Sequence, residues 1–171
     1  MTSVSAITIR RARTSDVPGI RALVAPLAHE RILVAKEAVA YYEALQEFRV
    51  AEDADGRIVG CGALHVMWED LAEVRTLAAH PALRGSGIGH RLLERLLTDA
   101  QDIGVTRVFC LTFEVDFFRR HGFAVMANQS AVDPQVYSEL LRSSDEGVAE
   151  FLDLARVKPN TLGNTRMIRS F

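Results

Sequence analysis

Ile7 and Ile9 alternate with Thr8 and Arg10 as on a half-buried strand, and Val17, Ile20, Val24 and Leu27 then recur at helical spacing behind Thr14, Ser15 and Asp16. The chain is therefore expected to open strand then helix, with Pro26 ending or kinking that helix. A second helical pattern covers 36–46, with Val39, Tyr42 and Leu45 turned inward, and Ile32-Leu33-Val34 forms the joint. Segments 49–52 and 58–64 read as an antiparallel hairpin turning at Asp55-Gly56, a dipeptide suited to positive φ. After a turn around Trp68, Glu69 and Asp70, 73–79 is a further strand, stopped by Pro81.

Past the glycines near position 87, Leu92, Leu93, Leu96, Leu97, Ala100 and Ile103 share one helical face, and Gly104 is placed as the C-terminal cap. Segment 107–112 is an apolar strand, parallel to its predecessor because a helix connects the two. A short helix over 115–121 ends at Gly122 and leads to a strand at 123–126; 134–143 is helical, 150–154 fits either element, and 165–168 is a closing strand. The order β-α-α-β-β-β-α-β-α-β, without repeats or linkers, predicts a single domain with a mixed α/β sheet.

The chain has 171 residues, 49% hydrophobic and 25% charged, with a net charge of −2. That balance offers no electrostatic case for nucleic acid or an anionic membrane as partner. No apolar run approaches the roughly 20 residues that span a bilayer, and the first residues lack a signal peptide's basic end and apolar stretch, so a cytoplasmic location is expected. Cys61 and Cys110 sit 49 positions apart in apolar segments and are expected as buried free thiols. The histidines are scattered without ligand spacing, so no metal is expected.

The segment richest in chemistry is Leu77-Ala78-Ala79-His80-Pro81-Ala82-Leu83-Arg84-Gly85-Ser86-Gly87-Ile88-Gly89-His90, a glycine-rich loop between a strand and a helix N-terminus. Glycines let successive N–H groups turn toward one point, where the helix dipole adds about half a positive charge, so a pyrophosphate can be held without lysine. A dinucleotide fingerprint fails because position 90 is His90 and the loop follows the fourth strand; a Walker loop fails for want of Gly-Lys-Ser/Thr.

Arg84-Gly85-Ser86-Gly87-Ile88-Gly89 resembles the Q/R-x-x-G-x-G/A signature of the GCN5-related N-acetyltransferases (GNAT), and Phe117-Phe118-Arg119-Arg120-His121-Gly122-Phe123 resembles that family's helix-ending F-Y/F-x-x-x-G-F segment. The resemblance covers about 7–126 and implies a mixed, mostly antiparallel sheet with one splayed parallel pair, flanked by helices. Ile9-Arg10-Arg11-Ala12, Leu27-Ala28-His29-Glu30-Arg31-Ile32-Leu33-Val34, Glu73 and Val108-Phe109-Cys110-Leu111-Thr112 look like the acetyltransferase domain of N-acetylglutamate synthases. The tail Lys158-Pro159-Asn160-Thr161-Leu162-Gly163-Asn164-Thr165-Arg166-Met167 resembles their stand-alone short form in actinobacteria. No amino-acid-kinase domain is expected within 1–171, and arginine feedback through one is not carried over.

The resemblance implies acetyl-CoA as co-substrate, a β-bulge opening the gap that receives it, and no metal. Leu77, Ala78 and Ala79 would pair with the pantetheine arm, and the N–H groups of Gly85, Gly87, Ile88, Gly89 and His90 would take the pyrophosphate with help from Arg84. Glu73 is the candidate base for the acceptor's ammonium, with His80 and His65 as weaker candidates. Lys36, Arg75 and Arg166 are candidate cations for a dicarboxylate acceptor, with Thr112, Asn164 and Thr165 beside them.

Phe118 stands where many relatives have the tyrosine that protonates the leaving thiolate, and Gly163 where the longer synthases have a basic residue. The implied reaction is N-acetylation of L-glutamate, or of L-glutamine, at the entry to arginine biosynthesis, by a homodimer. Two alternatives stand beside it: acetylation of another small amine or a protein N-terminus, and a non-catalytic acetyl-CoA sensor.

Overall fold

The computed structural model describes residues 6–30, 36–127, 132–154, 157 and 163–171. The expected joint Ile32-Leu33-Val34 and most of the tail segment, 158–162, lie outside the described residues. Elements follow in the order β1 (Thr8–Arg11), α1 (Val17–His29), α2 (Ala38–Glu43), β2 (Phe48–Glu52), β3 (Ile58–Trp68), β4 (Leu71–Ala79), α3 (Ile88–Asp102), β5 (Arg107–Thr112), α4 (Val115–Arg120), β6 (Ala124–Val125), α5 (Pro134–Leu140), α6 (Glu146–Phe151) and β7 (Thr165–Ser170). The strand order is β1-β2-β3-β4-β5-β7-β6. β1 with β2, β2 with β3, β5 with β7 and β6 with β7 pair antiparallel, while β4 and β5 run parallel, so the architecture is the mixed open sheet with one parallel pair that the motifs implied.

The chain divides into two compact units, one of Met1–His65 with Val74–Asp102 and one of Val66–Glu73 with Ile103–Phe171. In the first unit the strands carry helices on both faces, because side chains alternate along β2 and β3 and a register shift opposite Ala51 and Glu52 sends Val59 to the face away from Cys61. Val50, Cys61 and Ala63 cluster with Ile20, Val24 and Tyr41 of α1 and α2, while Ala51 and Val59 cluster with Ile88 and Leu92 of α3. Gly60 makes the second packing possible: a β-carbon there would stand 2.8 Å from Ile88 Cγ2 and 2.9 Å from Leu92 Cδ1. In the second unit Phe109, Met67, Leu71 and Ile168 pack with Leu140, Val148 and Phe151, and Phe109 meets Phe151 edge-on at 5.7 Å.

Pro26 lies inside α1, which runs three residues on to His29, so the helix does not end there. Three expectations need correction. In α2 the buried side chain is Tyr41, whereas Val39 and Tyr42 are exposed; the helix is only six residues long and anchors through a single aromatic stacked toward Phe48. Ile103 lies beyond α3, exposed, because the helix stops before the positive-φ Gly104. The strand expected at 123–126 shortens to Ala124–Val125, while 150–154 divides between the end of α6 and the turn after it.

Candidate active site

The loop that sequence singled out has the backbone its glycines suggest. Pro81–Leu83 forms a 3-10 turn whose start is capped by the His80 ring, Nδ1 accepting from Ala82 N at 3.2 Å. This gives His80 a structural task. Gly85 and Gly87 then adopt φ of +80° and +88°, with open space where a β-carbon would stand. The Gly87 carbonyl accepts from Arg91 N at 3.0 Å, so the N–H groups of Ile88 and Gly89 lie in the first turn of a 15-residue helix, where the helix itself offers them no acceptor. Arg84, Gly85, Gly87 and His90 are exposed and Ile88 is anchored in the core, so the rigid end of the helix presents its donors to solvent. That arrangement suits a phosphate.

Upstream of the loop, Thr76 in β4 has φ +55°. A β-branched residue in the left-handed region inside a strand is a strained backbone, of the kind concentrated at functional sites. Strand alternation places the backbone groups of Thr76 and Ala78 toward β3, consistent with His80 N donating to Val59 O at 2.8 Å, and turns those of Leu77 and Ala79 to the opposite edge. Position 76 was not singled out from sequence, since threonine is an ordinary strand residue and no glycine marks the spot.

In the second unit β4 pairs with β5 through Leu71↔Arg107, Ala72↔Val108 and Glu73↔Phe109. Glu73 is 8% exposed, an interior carboxylate. It lies close enough to Cys110 that its charge adds to burial in pushing that thiol well above its ordinary range. Both cysteines are free and buried, so neither is a candidate nucleophile.

Thr112 and Thr165 face each other in the β5–β7 register, and Arg166 lies opposite Leu111. Thr112 Oγ1 accepts from Glu114 N at 2.8 Å, closing the turn after β5. Arg166 donates through Nε to the Glu150 carbonyl at 2.8 Å and through Nη2 to that of Phe151, tying β7 to the end of α6, and burial lowers its pKa. Asn164 Oδ1 is buried with no hydrogen-bond partner among the described residues. Gly163 has φ +83°, and a β-carbon there would stand 2.8 Å from the Phe113 ring, so a side chain at this position would strain the backbone and displace that ring. Phe118 is 5% exposed and meets Phe117 and Phe123 edge-on, with centroids at 5.3 and 5.1 Å.

The remaining candidates sit in the first unit. Lys36 is exposed just before α2, and Arg75 is partly buried on β4, two residues beyond Glu73. His65 pairs through Nδ1 with Glu47 Oε1 at 2.6 Å. No helix among the described residues is long and apolar enough to cross a membrane.

Comparison with known proteins agrees with this geometry. Residues 24–123 match the acetyltransferase (GNAT) family. An amino-acid acetyltransferase of Mycobacterium tuberculosis is 56% identical over 94% of this chain and 92% of its own length. One from Neisseria meningitidis serogroup A is 34% identical over 68% of this chain, which spans only 27% of that longer protein. Among solved structures, a Mycobacterium tuberculosis protein in complex with CoA superposes with a TM-score of 0.91 at 55% identity, covering 96% of this chain and 99% of that one. N-acetylglutamate synthase from Neisseria gonorrhoeae, complexed with coenzyme A and N-acetyl-glutamate, gives 0.75 at 25% identity over 96% of this chain and 35% of that one. By the family match over residues 24–123 and the 56% identity over nearly the whole of both chains, the chain belongs to the GNAT acetyltransferase family, in its amino-acid acetyltransferase branch.

Proposed function

We propose that the chain transfers the acetyl group of acetyl-CoA to the α-amine of L-glutamate, the entry step of arginine biosynthesis, directly within a ternary complex. The observation that carries the reading is the run from the strained Thr76, through the positive-φ Gly85 and Gly87, into the α3 N-terminus. Leu77 and Ala79 pair with the pantetheine amides as an added strand would. The N–H groups of Gly85, Gly87, Ile88, Gly89 and His90 hold the pyrophosphate, and Arg84 lends its charge.

Glu73 takes a proton from the glutamate ammonium, directly or through water. The freed nitrogen pair attacks the thioester carbonyl carbon, the C–S bond breaks, and the second proton on that nitrogen passes through water to the departing CoA thiolate. Phe118 has no hydroxyl for that last step. Lys36 and Arg75 receive the two carboxylates, with Thr112, Asn164 and Thr165 toward the same substrate; Arg166 acts chiefly by holding the strand on which Thr165 stands. The same reading carries a homodimer in the cytoplasm.

Release of free CoA, measured with glutamate, glutamine and a panel of other amines, tests the acceptor. Glutamate should give the highest kcat/KM, and Lys36→Ala or Arg75→Ala should raise its KM by about ten- to a hundredfold while the KM for acetyl-CoA stays within about twofold. A rate with glutamate no better than with unrelated amines would remove the substrate assignment.

A further inference from the structure

Cys61 is the one buried polar side chain of β3 that the reaction described above does not use. Its Sγ lies 3.3 Å from the Thr76 carbonyl, donating to it, and a hydrogen bond from the Ala78 backbone acts on the same sulfur. The thiol thus touches the chain on both sides of Leu77. It is 0% exposed, and burial pushes its pKa up to about 12, so it stays a protonated donor at neutral pH.

Two further facts give the contact a purpose. Thr76 holds φ +55°, which costs a β-branched residue free energy and must be compensated by its surroundings. Gly60 and Gly62, the neighbours of Cys61 in β3, face α3 so closely that side chains there would meet Ile88 at 2.8 Å and Leu96 at 2.8 Å. The strand segment opposite the strained backbone is therefore pinned by the helix on one face and presents a single thiol on the other.

We propose that Cys61 is a positioning residue for acetyl-CoA: its S–H···O contact with Thr76, with the Ala78 contact beside it, holds the irregularity in β4 immediately before Leu77 and Ala79. This rests on the reading of β4 as the pantetheine-binding strand. A sulfur suits the task because its longer bonds and larger radius reach two backbone groups that the irregularity has moved out of regular ladder geometry.

Steady-state kinetics and hydrogen exchange on the whole chain test it. Cys61→Ala should raise the KM for acetyl-CoA by about five- to tenfold, leave the KM for the amine within about twofold, and speed amide exchange at 76–79. Cys61→Ser, which keeps a shorter donor and acceptor, should recover part of both effects. In the background of Cys61→Ala, Thr76→Gly should restore the KM for acetyl-CoA, because glycine adopts positive φ without a clamp. Loss of thermal stability with an unchanged KM for acetyl-CoA and unchanged exchange at 76–79 would overturn the proposal. Should the wild-type chain bind no acetyl-CoA, the functional reading falls, while exchange at 76–79 in Cys61→Ala and Cys61→Ser still decides whether the thiol holds this strand.

Discussion

Gly62 on β3 leaves the space that Leu77 on β4 fills: a β-carbon at 62 would stand 2.9 Å from Leu77 Cδ1 and 2.8 Å from Leu96 Cδ1. Leu77 belongs to the strand assigned to the pantetheine arm, and Leu96 is fully buried in α3. Gly62→Ala should therefore overpack the interior and destabilise the fold by about 1–3 kcal/mol, read by denaturant titration. It should also raise the KM for acetyl-CoA, because Leu77 is the side chain that must yield.

Gly87→Ala isolates the backbone contribution of the loop. Nothing lies within 4 Å of a β-carbon there, so the cost is conformational alone, about 1–2 kcal/mol for a left-handed alanine. Calorimetry should show weaker CoA binding by roughly tenfold with Tm lowered only slightly. Unchanged affinity would mean that the fanned amides of 85–90 do not hold the coenzyme.

Replacement of Glu73 by glutamine keeps the size of the buried side chain and removes its proton acceptor. If Glu73 accepts the ammonium proton, kcat should fall by about a hundred- to ten-thousandfold, with the KM for acetyl-CoA little changed, in single-turnover and steady-state assays. A merely structural carboxylate would instead show up in Tm with kcat nearly intact.

Asp16 accepts from Arg10 Nη1 and Nη2 at 2.7 and 2.9 Å and from Arg13 N at 2.7 Å, while Arg10 Nε reaches Glu52. The Arg10 hydrogen bonds hold the Asp16 carboxyl below its ordinary 3.8 against the opposing effect of burial. With the folded pKa below the unfolded one, the unfolded state binds more protons, so the contribution is complete above 3.8 and disappears as pH falls through the lowered value. Asp16→Asn should cost about 1–3 kcal/mol at neutral pH, and the gap to wild type should narrow only below about pH 4 in pH-dependent denaturation.

The predictions divide along a physical line. Residues that act through their own backbone torsion or their own periodicity were legible in the chain: Gly56, Gly85, Gly87 and Gly104 all adopt the positive φ their turns and caps required, and Leu92, Leu93, Leu96 and Leu97 all face the core. Residues whose state depends on a distant neighbour were not. Val39 and Tyr42 have helical spacing and apolar or aromatic character, yet Tyr41 is the one that meets Phe48, and a six-residue helix is too short for its period to choose a face. Nothing in the local sequence of Arg166 reveals the Glu150 and Phe151 carbonyls it binds.

Local sequence thus determined the order of strands and helices, the positive-φ turns at Gly85 and Gly87 and the burial of both thiols, since each follows from torsional freedom or side-chain solvation within a few residues. Tertiary structure alone decided that Thr76 takes a left-handed conformation and that Cys61, fifteen positions earlier, donates to its carbonyl. A threonine enters that region only when contacts outside its own segment over-determine it, and such contacts are written in the packing of β3 and β4 rather than in either strand by itself.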